Sequence, residues 1–249
     1  MVGIHEMYTS EMYDKLGFLA CWLPNMKLAL GDVGTLAGRR FERVTSLGEL
    51  GVAFDVGEVS SRADLEYSSA DKVETGLAVA AGAVGVGDGN LSVTFGDAGA
   101  TLIQAAQCRW ESVTNHPALE RELQVQRLAG RWRPDWVVIT KVLRTGPAAI
   151  MVSNVAGARV NLRLSAEALA GPLPLAHASA ALMASSASGL AARVAVRGGA
   201  TPFFGAMSFR RQVFGRARLR WRSGEAAEQG VPVAAELEDV GWERFVGEA

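Results

Sequence analysis

WVVITKVLR, residues 136–144, is the clearest β-strand in the sequence. β-Branched and aromatic residues form a nearly unbroken run there, with a Pro-Asp pair before it and a Gly-Pro pair shortly after it. Such a run between turn residues is typical of a strand inside a sheet. Two more strands are predicted beyond the Gly-Pro turn, at residues 150–155 and 159–164. The centre of the chain is therefore predicted to be an antiparallel meander.

Helices are predicted on both sides of a more ambiguous segment. A short helix is predicted between Ser10 as its cap and Gly17 as its stop. Residues 115–128 have the clearest helical pattern, with an asparagine cap and a proline in the first turn. Residues 73–86, rich in Ala, Val and Gly, fit a helix or a strand, because their small side chains give no decisive periodicity.

Shorter apolar or alternating runs predict the other strands. Residues 90–95 and 101–113 are joined by a turn-like Gly-Asp-Ala-Gly sequence, which predicts a hairpin. The stretch from the Ser-Leu-Gly turn at residues 46–48 to about residue 71 predicts a loop. Further strands are predicted at residues 18–23, 39–44, 190–196 and 207–221.

Length and composition indicate a globular protein. The chain has 249 residues, of which 49% are hydrophobic, so it can bury a sizeable core. The predicted elements indicate an α+β protein with a twisted, mainly antiparallel β-sheet and peripheral helices. The chain contains only two cysteines and does not begin like a secretory signal peptide, so we expect a cytoplasmic protein with reduced thiols.

Residues suited to catalysis are scattered. His5, His116 and His177 lie in unrelated contexts, and none is spaced with a second ligand as a metal site requires. Cys21 and Cys108 lie in apolar runs, where a cysteine behaves as a small hydrophobic residue. We therefore expect no enzymatic activity, catalytic residue, metal, cofactor or nucleic-acid partner.

The charge distribution divides the chain near residue 222. Residues 223–249 hold seven carboxylates against one arginine, for a net charge of −6, whereas residues 1–222 carry +5. An acidic end of this kind is either a solubilising tail or an intramolecular lid on a basic surface. Six arginines immediately precede the acidic segment: Arg210, Arg211, Arg216, Arg218, Arg220 and Arg222.

The acidic segment also contains large apolar residues. These are Leu237, Val240, Trp242 and Phe245. A purely solvating tail has no need of Trp and Phe, because such side chains favour burial. The segment is therefore predicted to pack against the rest of the protein.

Several sequence blocks, taken in order, resemble gasdermins, and the short bacterial members more closely than the two-domain animal ones. The blocks are YDKLGF at residues 13–18, WLP at 22–24, TSLGEL at 45–50, WVVITKVLRT at 136–145 and the strand near 203–209. The resemblance covers most of residues 10–222 and lies in the combination and order of the blocks.

The resemblance implies a pore-forming domain, residues 1–222, and an acidic autoinhibitory segment with a cleavable linker, residues 223–249. In bacterial gasdermins a short C-terminal segment packs on the twisted sheet until a partner protease cuts the connecting loop. The released domain forms a homo-oligomer in the inner membrane, and the cell dies during phage infection. We accordingly expect a protein that is cytoplasmic when inactive and binds anionic membrane lipids after cleavage.

Roles for individual residues follow from the resemblance and the charge pattern together. The four apolar tail residues are the expected autoinhibitory anchors, and the six arginines are the expected membrane-facing cations. Arg222 and Asp239 are the candidate cleavage positions, for a basic-specific and an Asp-specific protease respectively, and the sequence does not choose between them. Residues 73–113 and 159–197 are expected to supply membrane-spanning hairpins.

One departure and two alternatives accompany this interpretation. Bacterial gasdermins often carry a palmitoylated cysteine within their first few residues, whereas Cys21 is the first cysteine here. A soluble lipid- or protein-binding module with an acidic solubilising tail would stay soluble and monomeric without that tail. A soluble enzyme on the same kind of sheet would need a pocket of perturbed titrating residues.

Overall fold

In the computed structural model, residues 2–79, 89–165, 168–169, 173–209 and 237–240 are described. The helices are α1 (Ile4–Leu16), α2 (His116–Leu128), α3 (Pro174–His177) and α4 (Ser179–Ala184). The strands are β1 (Leu19–Ala20), β2 (Asp32–Ala37), β3 (Arg40–Ser46), β4 (Val56–Glu58), β5 (Ala63–Ser68), β6 (Val73–Val79), β7 (Gly89–Phe95), β8 (Thr101–Val113), β9 (Val137–Arg144), β10 (Ala148–Ser153), β11 (Ala158–Leu164), β12 (Ser186–Ser188), β13 (Leu190–Val196), β14 (Phe203–Phe209) and β15 (Leu237–Asp239).

The fold is α+β, as predicted, with large antiparallel sheets and a few peripheral helices. An 11-stranded sheet contains β1–β5, β8–β10 and β13–β15, and a four-stranded sheet has the order β12-β11-β7-β6. Every strand pairing within the described ranges is antiparallel.

Four long bent strands account for most of both sheets. Long strand 1 comprises β4–β6, long strand 2 comprises β7 and β8, long strand 3 comprises β9–β11, and long strand 4 comprises β12–β14. Long strands 2 and 3 keep one register throughout, with Phe95 opposite Ala158, Ala105 opposite Ala148 and Arg109 opposite Arg144. The four long strands lie side by side in the order 1-2-3-4. The four-stranded sheet is thus one end of a continuous ribbon.

The ribbon bends so that its two portions enclose apolar side chains. Phe95 of β7, Leu102 of β8 and Met151 of β10 belong to one buried cluster, which α3 and α4 complete with Leu175 and Leu182. On the other face of the larger sheet, α1 supplies the buried Tyr8 and Met12 to a second cluster. Burial of this apolar surface is the main force that holds the bent ribbon together.

The predicted central meander is wrong. The Gly146-Pro147 pair does not reverse the chain, since β9 and β10 run in the same direction along β8 with an unbroken register. Gly146 N donates to Ala106 O at 2.9 Å, and Ala106 N donates to Pro147 O at 2.8 Å, so the backbone pairing continues through the bend. β11 likewise continues from β10 and pairs with β7.

The predicted hairpin of residues 90–95 and 101–113 is wrong for the same reason. β7 and β8 are successive parts of long strand 2, and the glycines between them allow a corner. Gly99 has φ +78, a conformation that glycine adopts without strain. Gly99 N donates to Ser153 O on long strand 3, so pairing continues around the corner as well.

Other boundaries differ from the sequence-based expectation. The predicted loop out to residue 71 contains β4 and β5. Their side chains are mostly exposed, so these strands lack the alternation of apolar and polar residues by which a half-buried strand is recognised in a sequence. The strand expected at residues 18–23 is reduced to β1, and β2 was not predicted. α1 begins at Ile4 after a Gly3 cap, well before Ser10, and ends at Gly17 as predicted.

Several predictions are confirmed. α2 follows the Asn115 cap and has proline in its first turn, as expected. The ambiguous segment at residues 73–86 is a strand over its described part, β6. β3 and β13 match the strands expected at 39–44 and 190–196 to within two residues. Of the strand predicted at 207–221, residues 207–209 belong to β14, which begins at Phe203, and residues 210–221 lie outside the described residues.

Candidate functional site: the outer edge of strand β14

β14, with the sequence FFGAMSF, pairs with β9 on its inner side and with two short strands on its outer side. β1 covers the first part of the outer edge, where Leu19 lies opposite Phe204. β15 covers the last part, where Asp239 lies opposite Met207 and Leu237 opposite Phe209. Because β15 comes from the acidic segment, this segment completes the sheet through backbone hydrogen bonding.

Val240 occupies the place where the two covering strands approach each other. Its backbone N–H donates to Ala206 O at 2.7 Å, which extends the β15 pairing by one residue. The side chain is only 7% exposed and belongs to a buried cluster that includes Leu19, Phe204 and Ala206. The acidic segment is therefore attached to the sheet by both backbone and apolar contacts.

The sequence of β14 explains why this place accepts an additional side chain. Gly205 and Ala206 interrupt an otherwise bulky strand, and the register against β9 shifts between them. Glycine within a strand often marks an irregularity or a close backbone approach. Ala206 was not predicted as the partner of Val240, although the two small residues Gly205 and Ala206 in a bulky strand were a usable signal.

A groove with a volume of about 560 Å³ opens beside Val240. Phe18, Trp110, Lys141 and Gly205 are among the residues that line it. Lys141 Nζ lies 4.7 Å from the centre of the Trp110 ring, within range of a cation–π interaction. The groove thus combines an apolar wall with the cation of Lys141, and His116 of α2 and Asp239 of β15 are also among its lining residues.

The structure places part of the predicted tail. The backbone of Leu237 pairs within β15, and Asp239 lies in the same strand with its side chain exposed. Trp242, Phe245 and the boundary between residues 222 and 223 lie outside the described residues. So do the six arginines Arg210, Arg211, Arg216, Arg218, Arg220 and Arg222.

The titratable residues considered for catalysis remain apart. His5, His116 and His177 lie on α1, α2 and α3 respectively. Burial raises the pKa of Cys108 to about 11, and burial also raises the pKa of Cys21. Both thiols are therefore protonated at neutral pH and poorly nucleophilic. Within the described ranges, no three or more His, Cys, Asp or Glu side chains form a group that could hold a metal ion.

None of the helices in the described part of the chain is long and apolar enough to cross a membrane. Comparison with known proteins leaves the family open. No protein-family model matches the chain. A search of curated proteins likewise gives no match. The geometry of the β14 edge is therefore the main basis for the function proposed below.

Proposed function

We propose that this protein is an autoinhibited pore-former of the gasdermin type. An activating protease removes the acidic C-terminal segment, and the remaining domain oligomerises in the inner membrane and causes cell death in anti-phage defence. The protein is cytoplasmic before cleavage and binds anionic lipids after it. The two units are residues 1–222, which form the pore, and residues 223–249, which inhibit it.

The observation that carries this proposal is the attachment of the acidic segment to the edge of β14. A solubilising tail gains nothing from strand pairing, whereas an inhibitory segment needs a defined binding place. Full burial of a valine side chain contributes about 1.5–3 kcal/mol. A segment that is still covalently attached has a high effective concentration at its binding place. The contact made by Val240 is therefore strong enough to hold the acidic segment on the sheet before cleavage.

The arrangement of the small sheet supports the pore-forming part of the proposal. Its four strands, β6, β7, β11 and β12, all come from the two segments expected to supply membrane hairpins, residues 73–113 and 159–197. β6 lies at the edge of that sheet, and its described side chains are exposed or half-buried. A β-strand needs about 9–11 residues to span a bilayer. The strand pairs already formed at this end of the ribbon would only have to lengthen to reach that span.

Charge favours membrane binding once the segment is removed. A cut after Arg222 leaves a fragment with a net charge of +5, and a cut after Glu236 leaves +2, compared with −1 for the whole chain. Each cation near an anionic surface contributes about 1 kcal/mol to binding. Either product is thus expected to bind anionic lipid more strongly than the intact chain.

The two candidate cleavage positions differ in accessibility. Asp239 lies inside β15, where the backbone is paired with β14 and must open before a protease can bind it. We therefore favour a cut before β15, at Arg222 or elsewhere in the linker, as the activating event. Such a cut leaves the whole attachment strand on the released segment.

The test is dye release from liposomes that contain anionic lipid. A protease site is inserted between Ser223 and Glu236, and leakage is measured before and after cutting. The matched control carries a scrambled insertion of the same length that the protease does not recognise. We expect leakage only with the cleavable insertion, and only after cutting.

Absence of leakage, with the cut protein still soluble and monomeric, would contradict the proposal. The protein would then be better described as a lipid- or protein-binding module with an acidic tail. Leakage from the uncut chain at the same level would contradict autoinhibition and leave pore formation intact.

A further inference from the structure

The groove beside Val240 has opposite charges on its two sides. Lys141 of β9 lines it on the sheet side, and Asp239 of β15 lines it on the side of the acidic segment. Both side chains are exposed, and neither takes part in an ion pair among the described residues. Because Lys141 lies opposite Gly205 while Asp239 lies one strand further out, the two Cα atoms are roughly 12 Å apart. The two charges therefore line one groove without neutralising each other.

The space between these charges has an open floor and an apolar side. Gly205 contributes no side chain to the floor, and a Cβ atom added to it would lie 3.2 Å from Lys141 Cβ. Phe18 and Trp110 both line the groove and form an edge-to-face pair, with 5.0 Å between the ring centres. The volume of about 560 Å³ is typical of small-molecule sites. A ligand can therefore place an apolar group against the rings while its polar groups reach both charges.

His116 brings an unsatisfied polar atom to the same groove. It is the first residue of α2 and one of the lining residues, and its Nε2 atom is buried without a hydrogen-bond partner. Buried polar atoms are nearly always hydrogen-bonded, so an atom of this kind indicates a partner that the protein itself does not supply. A polar ligand in the groove would supply that partner.

We propose that this groove binds a free α-amino acid with a large apolar or aromatic side chain. The ligand carboxylate pairs with the Lys141 ammonium, and the ligand ammonium pairs with the Asp239 carboxylate. The ligand side chain packs against the Phe18 and Trp110 rings. Opposite charges on the two sides favour a zwitterion, because Asp239 repels a simple anion and Lys141 repels a simple cation.

Such a ligand would strengthen the attachment of β15, because it contacts both β9 and the acidic segment. A ligand that needs both sides of the groove stabilises the form of the protein in which both are present. This consequence rests on the proposed function, whereas the binding itself does not. Release of the acidic segment after cutting is expected to slow when the amino acid is present. Leakage assays without amino acid measure the attachment of β15 alone.

The first test is saturation-transfer NMR of L-phenylalanine with the uncut chain, without membrane or protease. We expect a dissociation constant of about 1 mM or tighter. The matched ligands are N-acetyl-L-phenylalanine, which lacks the ammonium group, and L-phenylalanine amide, which lacks the carboxylate. Each keeps the ring and loses one charge, so each is expected to bind about tenfold more weakly or worse.

The second test pairs these ligands with variants. Lys141→Gln and Asp239→Asn are each expected to weaken L-phenylalanine binding about tenfold. Asp239→Asn is not expected to weaken the acetylated ligand further, nor Lys141→Gln the amide, because the corresponding ion pair is already missing. The control variants are Lys27→Gln and Asp71→Asn, at exposed positions that do not line the groove, which are expected to stay within about twofold of wild type.

The proposal would be overturned if the uncut chain did not bind L-phenylalanine at about 10 mM, or if both derivatives bound as well as the amino acid. Binding that neither Lys141→Gln nor Asp239→Asn weakens would place the amino acid elsewhere on the protein. The derivatives are compared on the wild-type chain, so a misfolded variant cannot produce the expected result. Neither test involves cutting or liposomes, so binding without leakage contradicts only the proposed function, and leakage without binding contradicts only the amino-acid site.

Discussion

β1 and β15 cover the same edge of β14, yet they are attached in different ways. β1 follows α1 directly, and the chain after it is fixed by hydrogen bonds from Cys21 N to Pro202 O at 2.8 Å and from Leu28 N to Thr201 Oγ1 at 2.7 Å. β15 has three paired residues and is followed by Val240. One strand is thus part of the core, and the other belongs to the acidic segment, which we propose is separated from it by proteolysis.

Under the proposed function, this difference makes one part of the β14 edge stable and the other part regulated. A typical hydrogen bond contributes about 0.5–1.5 kcal/mol net, so β1 and its flanking contacts add up to a permanent attachment. β15 uses the same kind of bond, but it belongs to the acidic segment, and beyond it the described chain adds only Val240 to the attachment. Its removal is expected to expose the final part of β14 and leave the rest of the sheet folded.

The largest effect on the free energy of unfolding is expected from Phe203→Ala, which disrupts the part of the β14 edge that β1 covers, here called the permanent half. Phe203 is fully buried, lies opposite Ala20 and packs 5.5 Å from the Phe18 ring, measured between ring centres. Truncation of a buried phenylalanine costs about 3–5 kcal/mol of unfolding free energy. Urea unfolding measures this loss, with Val155→Ala as an exposed control. A loss below about 1 kcal/mol would show that this half is not part of the core.

A smaller effect on global stability is expected from Val240→Asp, which disrupts the part of the β14 edge that β15 covers, here called the removable half. A carboxylate does not fit the cluster of Phe204 and Ala206, so β15 is expected to detach. Detachment limits the loss to the contribution of the tail, about 1.5–3 kcal/mol. We expect the uncut variant to release dye from anionic liposomes.

Asp239→Asn is the matched control for that experiment, since the Asp239 side chain is exposed one residue away. It is expected to leave both stability and liposome leakage as in wild type. A Val240→Asp protein that unfolds entirely, or one that stays inactive with its tail protected from proteolysis, would remove the distinction between the two halves.

The smallest effect on the free energy of unfolding is expected from Glu111→Gln. Glu111 lies on β8, which pairs with β9 on the side away from β14. Glu111 is hydrogen-bonded by Arg144 at 2.9 Å and by Arg109 at 3.2 Å. Burial opposes ionisation of Glu111, but the hydrogen bonds and charges of the two arginines outweigh it and lower its pKa below the ordinary value of 4.5. A lowered carboxyl pKa stabilises the fold above about pH 4.5, and that contribution disappears as the pH falls through the folded-state pKa.

Glu111→Gln is therefore expected to be less stable than wild type at neutral pH. The difference in unfolding free energy should narrow as the pH decreases below 4.5, which unfolding curves at several pH values would measure. A constant difference over that range would mean that Glu111 contributes through packing and not through its charge.

Much of the secondary structure could be predicted, because periodicity and helix signals are local. Gly17 ends α1 in a left-handed conformation with φ +71, and the core residues of β9 form the apolar run seen in the sequence. The pairing could not be predicted in the same way. Gly146 and Gly99 marked bends in continuing strands, and hydropathy does not encode whether a bend reverses the chain.

The candidate site was predictable only in part. Charge and apolar content identified the acidic segment as one that packs on the protein, and its residue Val240 is indeed buried against the sheet. Its partner Ala206 and the companion strand β1 depend on residues far apart in the sequence, so local patterns carried no information about them. The exposure of Leu128 on α2 also required the structure, since a helical pattern alone does not show which face is covered.

Hydrogen–deuterium exchange across β14, before and after cutting at the inserted site, tests most directly whether the acidic segment covers this edge. Ala206 O accepts the bond from Val240, and the period of two in a strand turns Ser208 to the same side. The amide of Ser208, which lies opposite Glu238 of β15, is expected to exchange about tenfold faster or more after cutting, while Phe203 and Phe204 remain protected beside β1. Unchanged exchange at Ser208, or equal acceleration along the whole strand, would contradict the assignment of a removable cover.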